Sequence, residues 1–370
     1  MVAWHPLLYE ASRGEKATTI RARGATTVAH SSRQGATTTA SDATRTKIRR
    51  ELRQAGLTIR AIDAAWPEWW SAEAQSSPSA VAELRYTLAR RLGLAPQSLF
   101  DGSPTFLWRD EAKFKSLSAD EAGKEALTSF GVTLGRIVVA AAPPPEDSLV
   151  DDALALRAAI LAGGDLVNLS SLLALSWAFG IPVIQPRVLP TANKGMHAMA
   201  VRIGERFAII VGQSYSFRSR LVYVLAHELG HCLLGHLAGA AALVEMAEPI
   251  VGAPTSGDEE EAAADRFALA LLTGSTSLVV EASINEYTAT QLAHSALARA
   301  KDTQIEPGVL ALCLAHATGR WAQTSGALKI LEGRADLASL LNDLAIRQLN
   351  LDAISHDSAL YLSKILAAPA

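Results

Sequence analysis

The sequence has only two cysteines, Cys232 and Cys313, in 370 residues. That is too few for a disulfide framework and fits a reducing compartment. No run reaches the ~18 uncharged apolar residues that a membrane-crossing helix needs. The nearest, "FGVTLGRIVVAAAPPPED", is short and contains Arg136, which argues against an intramembrane enzyme. No apolar leader stands near Met1, so a cytoplasmic protein is expected. Net charge is small, −3, but unevenly spread. Residues 1–50 hold nine basic and three acidic side chains, a net +6, which leaves −9 on the other 320 residues.

The apolar residues that are present, 49% of the chain, suffice for a sizeable core, and the length suggests two or three domains. Residues 1–43 are rich in Thr, Ala, Gly, Ser and Arg without apolar periodicity and read as a disordered basic tail. Residues 44–105 read as a small helical domain. Within it, "IRRELRQAGLT" stops at Gly56, and "SPSAVAELRYTLARRLGL" is capped by Ser77 or Ser79 and stops at Gly93. Residues 106–147 read as a connecting helix over 109–141 and a Pro-rich linker, "APPPED". Residues 148–300 carry the chemistry described next, and 301–370 are a C-terminal helical region.

The chemistry starts in "YVLAHELGHCLLGHLAG", Tyr223–Gly239. The surrounding Leu221–Leu237 lacks proline and is apolar enough to be a buried helix. At about 100° per residue, His227 and His231 stand about 40° apart, one turn from each other. Two imidazoles so placed grip one zinc ion, and the intervening Glu228 serves as general base. Without a metal, two buried histidines and a buried glutamate would cost several kcal/mol with nothing to offset it. His236 falls about 180° around the same helix and is rejected as the third ligand, leaving it as a polar group at the helix end. Cys232 points about 100° from His231 and reads as a small buried residue.

The third ligand is sought in "SGDEEEAAADRFALALLTG", Ser256–Gly274. Ser256 or Asp258 caps a helix there, and the acids of its first turn suit the positive helix end. Glu261 completes a His2Glu site, with Glu260 and Asp265 next in line. Asp265, one turn on, is placed to accept the second N–H of a ligating histidine.

Two resemblances follow. "LAHELGHCLLGH" with "EAAADRFALALL" resembles the ImmA/IrrE family of zinc metallopeptidases, through His227, Glu228, His231, Glu261, Ala264, Asp265, Phe267, Ala268, Leu271 and Leu272. "LALSWAFGIPVIQ" and "MAVRIGERFAIIVG" resemble that family's helix-to-strand unit and hairpin, so the likeness spans Leu154 to about Ala298. It departs at Thr273-Gly274, where the family has Met-Pro. The resemblance implies an α+β, mostly helical chain: a zincin-like domain whose small mixed sheet packs on the H-E-x-x-H helix, with a helix-turn-helix-like domain before it. It also implies a zinc-dependent endopeptidase that cleaves a repressor or antitoxin, often of the XRE type. Residues 44–105 resemble the helix-turn-helix domain of such repressors through Pro78, Leu84, Leu88, Ala89, Leu92, Gly93, Leu99 and Phe100. The recognition position, however, reads "AAWPEWWSAEAQSS", interrupted by Pro67 and poor in base-reading side chains. The expectation is a helix-turn-helix-like fold that does not bind duplex DNA specifically.

Strand 207–211 is expected to pair with an extended peptide substrate. His294 and His316 read as structural, and Tyr287 or His294 is the candidate for a transition-state stabiliser at the zinc. The competing readings are a transcriptional regulator with a vestigial protease fold and a metal-dependent hydrolase of a non-peptide amide.

Overall fold

The computed structural model describes residues 41–108, 112–115, 121–164, 166–191, 196–245, 258–277 and 286–367. Most of the expected basic tail therefore lies outside the described residues, and its last three positions are helical. Helix α1 (Ser41–Gln54) stops before Gly56, whose φ of +89° only glycine adopts readily. Helix α2 (Ile59–Ala65) is capped by the Thr58 hydroxyl, which accepts from the Ala61 N–H, and ends at Trp66 before Pro67. Helix α3 (Pro78–Leu92) is capped by Ser77 and ends at Gly93, with α4 (Pro96–Phe100) following. Between Trp66 and Ser77 the regular structure is a three-residue 3-10 turn, Ala74–Ser76.

The chain continues through β1 (Ala112–Lys115), α5 (Glu121–Ala141), α6 (Ala153–Ala162), α7 (Leu169–Ala178), β2 (Val183–Ile184), β3 (Ala198–Ile203) and β4 (Arg206–Val211). Then come α8 (Arg218–Leu233), β5 (Ala242–Glu245), α9 (Glu259–Thr273), α10 (Ala289–Thr303), α11 (Pro307–Thr318), α12 (Trp321–Leu331), α13 (Leu337–Gln348) and α14 (His356–Leu366). The architecture is mostly helical α+β around one mixed sheet of order β1-β5-β3-β4-β2. Its central hairpin, β3–β4, turns at Gly204-Glu205, with Gly204 at φ +63°.

Period-two alternation makes the sheet a partition between two cores. On β3, Ala198 and Ala200 face a core built with α6 to α13, whereas Met199 and Val201 face one built with α1 to α5 and α14. Helix α5 lies against the second face through Gly131 and Gly135. A Cβ at Gly131 would overlap the Met199 sulfur, and one at Gly135 would stand 3.0 Å from Val201. The sequence reading of a helix over 109–141 holds to its end at Ala141 and is corrected at its start. Residues 112–115 form an edge strand parallel to β5, and α5 packs on the sheet. The local pattern of "AKFK" carries no sign of this, because the strand exists through pairing 130 residues away.

The segments drawn as separate in sequence are also knitted together. The guanidinium of Arg206 donates to the carbonyls of Val139, Ala142 and Pro143, holding the Pro-rich linker to the sheet. Arg91 of α3 pairs with Asp357 of α14 at 2.6 Å. The Asn342 side chain of α13 bonds both the N–H and the carbonyl of Gln185, as a neighbouring strand would beside β2. Strand β4 is flanked by β3 and β2, so over Ile209–Ile210 it has no open side for an added peptide, contrary to the expectation for 207–211. Among the described residues, no helix is long and apolar enough to cross a membrane.

Candidate metal centre

Helix α8 is buried along nearly its whole length because Leu221, Val222, Val224, Leu225 and Leu229 enter the first core. Each such side chain contributes about 1.5–3 kcal/mol on leaving water. Its N-cap residue, Phe217, has no capping side chain. The carboxylate of Glu332 substitutes, accepting from the Ser219 N–H at 3.2 Å and from its hydroxyl at 2.6 Å. This anchoring carries Tyr223, His227 and His231 inward on successive turns of one face.

Helix α9 brings the acids. Asp258 caps it, accepting from the N–H groups of Glu260 and Glu261 at 3.1 and 3.3 Å. At its other end Gly274 takes φ +81°, and the buried guanidinium of Arg157 donates to the carbonyls of Leu271 and Leu272. The two helices close tightly at Gly230, where a Cβ would lie 3.3 Å from Ala264 and 3.2 Å from the Phe267 ring. That close approach, one residue before His231, lets Glu261 reach the histidines.

The side chains converge on one point. The Nε2 atoms of His227 and His231 lie 2.9 Å apart. One carboxylate oxygen of Glu261 is 3.3 Å from the first and the other is 3.3 Å from the second. Around a tetrahedral zinc at ~2.0–2.1 Å, neighbouring ligand atoms stand about 3.3 Å apart; the two nitrogen–oxygen spacings match this, the nitrogen–nitrogen spacing is shorter, and the two-nitrogen, one-carboxylate donor set suits that ion. Among the described residues, His227, His231 and Glu261 are the group that could hold a metal.

Asp265 lies behind His227: its Oδ1 is 2.9 Å from His227 Nδ1 and accepts from the Tyr223 hydroxyl at 3.1 Å. With Nδ1–H donating to Asp265, Nε2 is the His227 nitrogen that faces His231 and Glu261. Sequence reasoning overlooked Tyr223, although its spacing of four before His227 put it on the same face. Glu260 turns away to the ammonium of Lys113 at 2.8 Å, so it is not in line to replace Glu261. Glu228 is fully buried, and its charge is felt by both His227 and Cys232. Burial, reinforced by Glu228, raises the Cys232 thiol well above its usual range, so it stays protonated.

In the absence of metal this pocket demands a proton. Burial alone would lower the pKa of His227, but hydrogen bonds to Asp265 and Glu261 and the charge of Glu228 raise it to about 10. The carboxylates around His227 thus favour a positive charge on its ring despite burial.

His236 contradicts its reading as a mere helix-end group. Helix α8 ends at Leu233, Gly235 takes φ +78°, and the turn brings His236 back until its Nδ1 is 2.9 Å from the Nδ1 of His231. The 180° offset assumed a helix that continues. His294 is exposed, and the Tyr287 hydroxyl meets Thr318 at 2.9 Å, so neither joins the cluster. Comparisons with protein-family models, curated proteins and solved structures return no match for this chain.

Proposed function

We propose that the chain is a zinc-dependent endopeptidase of a reducing, cytoplasmic environment, with a zincin-like domain formed by the mixed sheet, α8 and α9. The observation that carries this reading is the convergence of His227, His231 and Glu261 at 2.9–3.3 Å within a buried core. Both cysteines are unpaired thiols, in keeping with a reducing compartment. Zinc bound there would acidify a coordinated water and polarise a scissile carbonyl. Glu228, adjacent in sequence to the first ligand, takes the attacking water's proton and returns it to the leaving amine. Asp265 holds His227 with Nδ1 protonated and Nε2 free to bind. The surrounding core excludes bulk water, so these charges act in a low dielectric.

The resemblance to the ImmA/IrrE family further supports a protein substrate of the repressor or antitoxin type. Against the regulator alternative, the ligand set is complete, and a loop with the exposed Trp69 occupies the place of a recognition helix. The test is metal analysis combined with mapping of newly formed protein N-termini in cells expressing each variant. Wild type should carry about one zinc, and His227→Ala, His231→Ala or Glu261→Ala should carry none. Glu228→Gln should keep zinc yet produce none of the cleavage sites that wild type produces. Zinc-loaded wild type that yields no new N-termini would shift the reading to a small-amide hydrolase.

A further inference from the structure

His231 and His236 meet through their Nδ1 atoms at 2.9 Å. Two ring nitrogens at that distance share one proton, one donating and the other accepting. The direction is set by the opposite side of the His231 ring. Its Nε2 is the atom 2.9 Å from His227 Nε2 and 3.3 Å from Glu261, so that nitrogen needs its lone pair for a cation. A neutral His231 then carries its proton on Nδ1 and donates it. His236 accepts at Nδ1 and keeps its own proton on Nε2. We propose that His236 is a positioning residue for His231, fixing its tautomer and ring orientation for metal ligation as Asp265 does for His227. This rests on the zinc site proposed above.

The backbone around His236 is arranged for that task. Its N–H donates to the carbonyl of His231 itself at 3.1 Å, closing the turn that Gly235 opens. Its carbonyl accepts from the ammonium of Lys113 at 3.0 Å, and the same ammonium pairs with Glu260, the neighbour of ligand Glu261, at 2.8 Å. Lys113 thus ties the turn after α8 to the first turn of α9, and so sets where His236 stands relative to both halves of the site. A polar residue that merely ended a helix would have no need of this second strap. A neutral imidazole is a weaker acceptor than a carboxylate. His236 should therefore matter less than Asp265.

The experiment is zinc affinity by chelator competition for wild type, His236→Ala, His236→Asn and His227→Ala, with thermal unfolding of each metal-free protein. Losing such a partner costs about 10- to 100-fold in affinity, and the lower end is expected for His236→Ala. In His236→Asn the amide oxygen can take the place of Nδ1 and should restore most of the binding. Wild-type affinity in His236→Ala would overturn the proposal. So would equal losses in the Ala and Asn variants accompanied by equal destabilisation of the metal-free fold, which would assign His236 to packing alone. Complete loss of zinc in His236→Ala, matching His227→Ala, would make it a ligand. If wild type itself takes up no zinc, the metal reading fails and this proposal fails with it.

Discussion

The two faces of the sheet bury ionisable groups to opposite ends. On the α8 face, the inner atoms of His227, His231 and Glu261 lie 2.9–3.3 Å from one another, with Asp265 behind His227. On the α5 face, the buried Arg91 spends its donors on the Ala65 carbonyl and on the side chain and carbonyl of Asp357, joining α3 to α14. The first arrangement gathers three groups that could hold a metal ion. The second is closed, and its charges serve cohesion. Burial of charge is therefore not what marks the site. What marks it is several buried groups whose hydrogen bonds fix their outer atoms and leave their inner atoms aimed at one place.

The sharpest way to separate the faces is pH. In the metal-free protein His227 is raised to about 10, above its ordinary 6.5. Its contribution to stability is full below about 6.5 and is lost as pH rises towards about 10. Zinc binds the neutral imidazole, so its stabilisation should grow over the same interval. The gap in unfolding temperature between zinc-loaded and metal-free protein should widen from pH 6.5 upward, and His227→Gln should abolish that widening. Asp357 behaves in the opposite sense. Burial works to raise its pKa, but Arg90 and Arg91 hold the carboxyl below its ordinary 3.8. Its contribution is present above that value and is lost in acid, whether or not zinc is bound. A widening gap in His227→Gln would break the contrast.

A second test is substitution on the closed face. Arg91→Ala leaves Asp357 and the Ala65 carbonyl without their partner and should cost about 2–4 kcal/mol in urea unfolding. Zinc affinity of the folded variant should be unchanged, since Arg91 bonds Ala65 and Asp357 on the other face. Altered zinc affinity would show that the two faces are coupled through the sheet.

The smallest expected effect lies in the layer behind the ligands. Asp265→Ala should lower zinc affinity about 10- to 100-fold, or about 1.4–2.7 kcal/mol, and Asp265→Asn should lower it less because its amide oxygen still accepts from His227. A chelator titration reads both. Complete loss of zinc in both variants would make Asp265 a ligand rather than a support.

Much of this site was legible in the chain because it is local. His227 and His231 share a face through the helical repeat, and Glu261 and Asp265 do so on α9 for the same reason. Tyr223 obeyed the same spacing and could have been found by it. His236 could not be placed by counting degrees, because the count holds only while the helix lasts, and Gly235 redirects the chain two residues after Leu233. Lys113 had no signal at all: its partners, the His236 carbonyl and Glu260, are more than 120 residues away.

Spacing along the chain is enough for the periodic elements: the apolar helix carrying the histidines, the capped acidic helix, the hairpin about Gly204, and the stops at Gly56 and Gly93. Each follows from side-chain spacing or from a backbone conformation that glycine adopts at low cost. Tertiary structure alone decided that residues 112–115 become an edge strand, that α5 lies on the sheet through Gly131 and Gly135, and that α8 and α9 approach closely enough at Gly230 for Glu261 to meet the histidines. Those outcomes depend on which surfaces come together after the chain collapses, and pairing between segments far apart in sequence leaves no periodicity in either segment for a reader to find.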